Sequence, residues 1–191
     1  MSNYVAILLV VLTSFELQAQ SVEFFREDLK FILTEDTLKV SGDYYFRNTK
    51  NKLITRKLIY PFPTDTSLGE IDEVVCYDLS DQGNRIDTIQ QTYMMFSLTI
   101  PPDEISIYRI GYKQQLLGNR AMYILTSTQS WNKPFEEVNY EMVSKNVRID
   151  SLSYLPDRVE LFTDSTKFYW QKYNFMPDRN FEVLFSKPDI E

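Results

Sequence analysis

The 191-residue chain contains no histidine, one cysteine and five glycines. Without histidine there is no Ser-His-Asp or Cys-His relay and no HExxH zinc site, which removes a large share of hydrolase mechanisms. The glycines, Gly42, Gly69, Gly83, Gly111 and Gly118, are never closer than seven positions. The GxGxxG turn and the GxxxxGK phosphate loop both need closer glycines, because backbone must approach phosphate with no side chain between. The lone Cys76 can form neither an internal disulfide nor a Cys-rich zinc site, and in the apolar-rich run Ile71 to Leu79 it reads as a buried, inert thiol.

Charge is also short of one sign. Twenty-seven acids against 20 bases leave a net charge of −7, spread without blocks. No basic patch is available for nucleic acid or an anionic membrane surface.

What is present begins with an address. Tyr4 to Phe15 form an apolar stretch broken only by Thr13 and Ser14, followed by Leu17-Gln18-Ala19. This is the pattern of a secretory signal peptide, and it is too short for a membrane span of about 20 apolar residues. Residues 1–19 are read as the signal peptide, with cleavage after Ala19. The mature chain is then an exported protein: periplasmic, outer-membrane-associated or secreted.

Beyond Ser21 the dominant pattern is alternation with period two. Leu38, Val40, Gly42, Tyr44 and Phe46 make one apolar or small face; Met94, Phe96, Leu98 and Ile100 repeat it, as do Val138, Tyr140 and Met142, and Phe181, Val183 and Phe185. Met122 to Leu125 is apolar on both faces and predicts a central strand. Turn chemistry separates the runs at Asn48 to Lys52, Pro61 to Ser67, Asp81 to Asn84, Pro101 to Asp103 and Gly118-Asn119. The reading is an all-β fold, an antiparallel β-sandwich of roughly ten strands with little helix apart from the signal peptide. Residues 20–191 are read as one domain, its least defined part after Ser151; Thr166 to Phe175 is the one segment where a helix competes.

Four aromatic side chains are the candidate binding residues. Tyr169, Trp170 and Tyr173 lie in the dense run Phe168 to Phe175. As a strand, it would put Tyr169, Tyr173 and Phe175 on one face and Phe168 and Trp170 on the other; a buried strand packed on both faces is the better reading, and with one face exposed it would give an aromatic platform for sugars or partner proteins. Trp131 would anchor a loop. Ser130 and Lys133 have SxxK spacing, but Pro134 disfavours the helix that would join them. Asp78, Ser80, Gln82 and Gly83 have calcium-loop spacing, but Ile89 stands where the bidentate glutamate belongs, so a polar hairpin turn is the better reading.

Val40-Ser41-Gly42-Asp43-Tyr44-Tyr45-Phe46-Arg47-Asn48, followed by Ile59-Tyr60-Pro61-Phe62-Pro63, resembles the opening of VIT-type secreted domains. It is also similar to exported bacterial β-sandwich domains with a later Trp-x-x-Pro turn, here Trp131 to Pro134. The resemblance covers about residues 40 to 80 and implies a non-catalytic extracytoplasmic module, without binding residues.

Together these features predict a non-catalytic exported binding or structural module of the cell envelope, with no catalytic residues, metal site or cofactor. An envelope protein or a surface glycan would be its partner. The alternative is a carboxylate-based carbohydrate-active enzyme, which would need two carboxylates flanking one glycosidic bond beside Trp170 or Trp131.

Overall fold

In the computed structural model, which describes residues 21–187, thirteen strands and one 3-10 turn account for nearly all regular structure. The strands are β1 (Val22–Leu33), β2 (Thr37–Asn48), β3 (Ile54–Pro61), β4 (Leu68–Asp78), β5 (Ile86–Gln90), β6 (Tyr93–Ile100), β7 (Ile105–Leu116), β8 (Arg120–Tyr123), β9 (Phe135–Lys145), β10 (Arg148–Leu152), β11 (Arg158–Leu161), β12 (Ser165–Phe175) and β13 (Phe181–Ser186). The 3-10 turn is Thr126–Trp131. The expected signal peptide lies outside the described residues. Among those residues, no helix is long and apolar enough to cross a membrane.

One layer is a seven-stranded sheet in the order β11-β12-β9-β1-β2-β7-β4. Two three-stranded sheets, β3-β6-β5 and β10-β13-β8, form the other layer. Aromatic pairs mark the interface: Phe31 of β1 stacks on Phe181 of β13 at 4.8 Å, Trp170 of β12 meets Phe181 at 5.1 Å, and Phe96 of β6 meets Tyr108 of β7 at 5.9 Å. The buried side chains come from the inward parity of both layers, so alternation in the sequence becomes a shared core.

The all-β sandwich matches the sequence reading, and the alternating runs fall in β2, β6, β9 and β13 with the expected faces buried. Three details differ. The strands number thirteen because β5, β8, β10 and β11 are only four or five residues long, too short for alternation to register. The large sheet is mixed, since β1 and β9 run parallel from Arg26 opposite Glu137 to Leu33 opposite Ser144. Met122 to Leu125 is not a central strand: β8 ends at Tyr123 and pairs only with β13, while Leu125 is buried where the 3-10 turn begins. Thr166 to Phe175 is strand, within β12.

The outward face of the large sheet is a lattice of paired charges. Arg26 forks onto Asp28, whose carboxylate also accepts from Tyr45 Oη and Asn139 Nδ2, each at 2.9 Å. Arg109 grips Asp43 with two bonds of 2.6 and 2.7 Å. Such exposed pairs contribute little each, but they keep this face wet and the opposite face apolar.

Candidate functional site

The covering layer is split, and the split is the site. β3 and β8 are the edges of their respective small sheets. Between them a cleft of about 420 Å3 reaches down to β1 and β2. Phe24, Glu27, Tyr44 and Phe46 contribute from the large sheet, Arg56 to Pro61 from β3, and Tyr123 and Ile124 with Ser127, Thr128, Ser130 and Trp131 from the far side.

Glu27 is aimed inward by a β-bulge. Pairing of β1 with β2 slips between Phe24 and Arg26, where one extra residue enters β1. Val22 and Phe24 point inward before it; Glu27, Leu29, Phe31 and Leu33 point inward after it. Without the slip, Arg26 and Asp28 would face the core instead. Bulges commonly re-aim a side chain in this way beside functional sites.

The consequence is a carboxyl group with 0% exposure. Tyr140 Oη donates to its Oε1, whereas Oε2 has no partner. Burial, opposed by the Tyr140 hydrogen bond, pushes its pKa up to about 8, so the group is a neutral acid at pH 7.

Three tyrosine hydroxyls meet within the same cleft. Tyr44 Oη lies 2.8 Å from Tyr60 Oη and 2.9 Å from Tyr123 Oη, tying together the large sheet and both small ones. Burial raises all three pKa values well above the usual phenol range. Tyr44 can take this position because Gly42 precedes it by two on the same face: a Cβ at Gly42 would stand 2.6 Å from Tyr44 Cε2 and 2.6 Å from Leu29 Cδ2.

At the mouth the sign of charge is positive. Arg56 donates to Ser21 Oγ at 2.7 Å and has no carboxylate partner among the described residues, and Lys57 approaches Asp87 at 3.6 Å. Among the described residues Glu27 is the one acidic side chain lining the cleft.

Of the four aromatics expected from sequence, Trp131 lines this cleft, packed against Phe24 and Phe46 at 5.8 Å from each. The other three are elsewhere. Trp170 is 2% exposed, with Nε1 donating to Tyr154 O at 3.0 Å, and belongs to the core. Tyr169 faces outward beneath the Arg158 guanidinium, 4.0 Å from its ring centre, and donates to Glu160. Tyr173 is exposed on the same outer face. Phe175 does not join them: Asn174 takes a left-handed φ of 49°, and Phe175 packs against Tyr154 at 5.6 Å. Tyr169 therefore borders a second groove, of about 410 Å3, whose Asp157 is occupied by Lys172 Nζ and the Gln171 amide.

The remaining motifs resolve into structure. Ser130 Oγ donates to Ser127 O while Lys133 pairs with Glu23, so the SxxK side chains serve separate partners. Asp78 accepts from the amide and hydroxyl of Ser80, and Asp81 binds the Gly83 amide and Arg85, which close the turn after β4. Among the described residues no group of three His, Cys, Asp or Glu side chains is placed to hold a metal ion. Cys76 is buried, and burial pushes its thiol up to about 12, away from the reactive thiolate.

Sequence reasoning missed Glu27, Tyr44, Tyr60 and Tyr123 as a group. A signal for the first existed. The apolar parity runs even at Val22 and Phe24 and odd at Leu29, Phe31 and Leu33, so one residue must be inserted between them, and Glu27 falls on the inward set.

The cleft is floored by an acid and walled by aromatics within an all-β sandwich, and it is this fold that other proteins share. Residues 107–184, less than half of the chain, match the model of a family described as a domain of unknown function, DUF4424. That segment carries Tyr123 and Trp131 but not Glu27, Tyr44 or Tyr60. The VIT-type resemblance is not what this match supports; residues 40 to 80 fall outside it, and their motif is strand-and-turn grammar common to many sandwiches. No curated protein matches the chain. Among solved structures, a candidate nutrient-binding protein of Legionella pneumophila superposes with a TM-score of 0.67 at 12% identity, over 86% of this chain and 67% of that one. An M1 zinc metallopeptidase of Deinococcus radiodurans gives a TM-score of 0.52 at 8% identity, over 86% of this chain and 42% of that one. At these identities the likeness is one of fold.

Proposed function

We propose that the chain is a non-catalytic binding module of the cell envelope that holds a small ligand in the cleft between β3 and β8. The observation that carries this reading is the orphaned Oε2 of the fully buried Glu27. Leaving a buried polar atom unpartnered costs roughly 1–3 kcal/mol, and a bulge is spent on placing it there. A bound molecule that completes the hydrogen bond offsets that cost. The nutrient-binding designation of the Legionella protein is compatible with such a role.

The carbohydrate-active enzyme is the weaker reading. Glycoside hydrolysis needs two carboxyl groups across one bond; among the described residues a single acid lines this cleft, and in the outer groove, where Asp28, Glu141 and Asp157 gather, Asp28 and Asp157 are tied to Arg26 and Lys172 and Trp170 is buried. Among the described residues the cleft offers neutral Glu27 no second carboxylate to act as nucleophile or base, since Asp28 faces the other side of the sheet.

Titration of a small-molecule library into the purified protein, followed by NMR, tests the location. Binders should shift the Trp131 indole resonance and leave that of Trp170 unmoved, and Trp131→Ala should weaken them about tenfold, given the ring area it contributes. Shifts confined to the outer groove around Tyr169 would refute the assignment. Export has its own test: amino-terminal sequencing of envelope-fraction protein should begin at Gln20, whereas an intact Met1 end would exclude the signal peptide.

A further inference from the structure

Counting protons at the floor of the cleft shows what it is short of. Tyr60, Tyr44 and Tyr123 bring three hydroxyl protons to two oxygen–oxygen contacts. Whichever way the hydroxyls rotate, each contact consumes one proton and one is left with no acceptor. Glu27 adds to the surplus. The neutral acid and Tyr140 bring two protons to one oxygen–oxygen contact, so one is again left with no acceptor among the described residues. The charges at the mouth, Arg56 and Lys57, likewise offer donors. In a chain of net charge −7, this cleft is a local excess of hydrogen-bond donors.

The groups facing Glu27 explain why it stays neutral there. Tyr140 from β9, Tyr44 from β2, Tyr60 from β3 and Tyr123 from β8 surround it, and its neighbour Asp28 on the opposite face repels a second negative charge. No arginine or lysine pairs with it among the described residues. An amine ligand would have to expel the proton and bury an ion pair with one hydrogen-bonded tyrosine as support; an oxygen acceptor needs no charge to move.

We propose that the cleft selects a small molecule with an apolar body and an inward-facing, uncharged oxygen acceptor of the carbonyl type, taken up by the Glu27 acid and the spare tyrosine proton, and that it discriminates against amines. Phe24, Phe46 and Trp131 hold the apolar body. This inference rests on the cleft being the binding site.

Three probes of nearly equal size separate the possibilities: acetophenone, ethylbenzene and benzylamine, titrated by NMR at pH 6. Acetophenone should bind roughly tenfold more tightly than ethylbenzene, the worth of one satisfied hydrogen bond in a dry site, and more tightly than benzylamine. Glu27→Gln should keep acetophenone affinity within about threefold, because the amide N–H replaces the acid O–H, whereas Glu27→Leu should erase its advantage over ethylbenzene. Acetophenone affinity should be level from pH 5 to 7 and fall above pH 8, where Glu27 loses its proton. Benzylamine binding best, gaining affinity from pH 5 to 7 and losing it in Glu27→Gln, would overturn the acceptor preference while leaving the cleft as the site. Absence of cleft shifts with all three probes would instead refute the site itself.

Discussion

Between pH 5 and pH 8 the wild-type protein should lose stability on the order of 4 kcal/mol, and Glu27→Gln should abolish most of that slope. Glu27 is raised in the folded state from its ordinary 4.5 to about 8. Between those values the unfolded chain has released the proton while the folded chain keeps it. Stability therefore falls as pH rises, by about 1.4 kcal/mol per unit, is fully present below pH 4.5, and levels off above pH 8. The window is unusually clean. No histidine titrates in it, and the carboxylates held low by their partners, among them Asp65, Glu136, Asp157 and Asp178, change charge below it. Urea denaturation at pH 5, 6, 7 and 8 measures the slope directly. Parallel slopes for the wild type and Glu27→Gln would show that Glu27 does not titrate as a buried acid.

Gly42→Ala should destabilise the protein by about 1–3 kcal/mol and at the same time weaken any cleft ligand, although residue 42 does not line the cleft. The added methyl would overlap both the Tyr44 ring and Leu29 Cδ2. Leu29 can rotate, but the Tyr44 ring is held by Phe24 at 5.9 Å, Tyr60 at 5.7 Å and its two hydroxyl contacts, so relief must move the ring and break the chain of hydroxyls. Gly111→Ala is the control: it sits in the neighbouring β7, its Cβ would meet Val40 O and Val75 Cγ2 at 3.2 Å, and it touches none of the cleft tyrosines. A loss of binding confined to Gly42→Ala separates displacement of Tyr44 from general loosening of the sheet. Equal losses in both variants would contradict the role given to Gly42.

How much of this was legible in the sequence follows from the range over which each feature is encoded. The inward faces of β2, β6, β9 and β13 could be read because alternation is local, two residues at a time. The polar turn after β4 could be read because Asp78 and Asp81 bind amides two residues on, although it leads into a strand of the other layer rather than closing a hairpin. The parallel pairing of β1 with β9 could not, since nothing near Arg26 specifies Glu137. Trp131 was singled out as an aromatic in a turn, and its place in the cleft depends on Phe24 and Phe46, far away in the chain. Trp170 and Tyr169 are neighbours with opposite fates because successive residues of a strand face opposite layers. Tyr44, Tyr60 and Tyr123 looked like ordinary apolar positions; their hydroxyls acquire meaning only when three sheets bring them to one point.

The parallel pair also governs the order in which the molecule can be completed. β1 occupies the middle of the seven-stranded sheet, yet one of its two neighbours is built from residues more than a hundred positions later. A chain emerging from its amino terminus can zip β1 to β2 and β2 to β7, but the other edge of β1 stays open until Phe135–Lys145 has appeared. Contacts of such long sequence separation are slow to form, and an open central edge invites pairing with another chain. Fragments ending before residue 135 should therefore be sticky rather than merely unstable, and the floor of the cleft, where Tyr140 caps Glu27, cannot close before that late strand arrives.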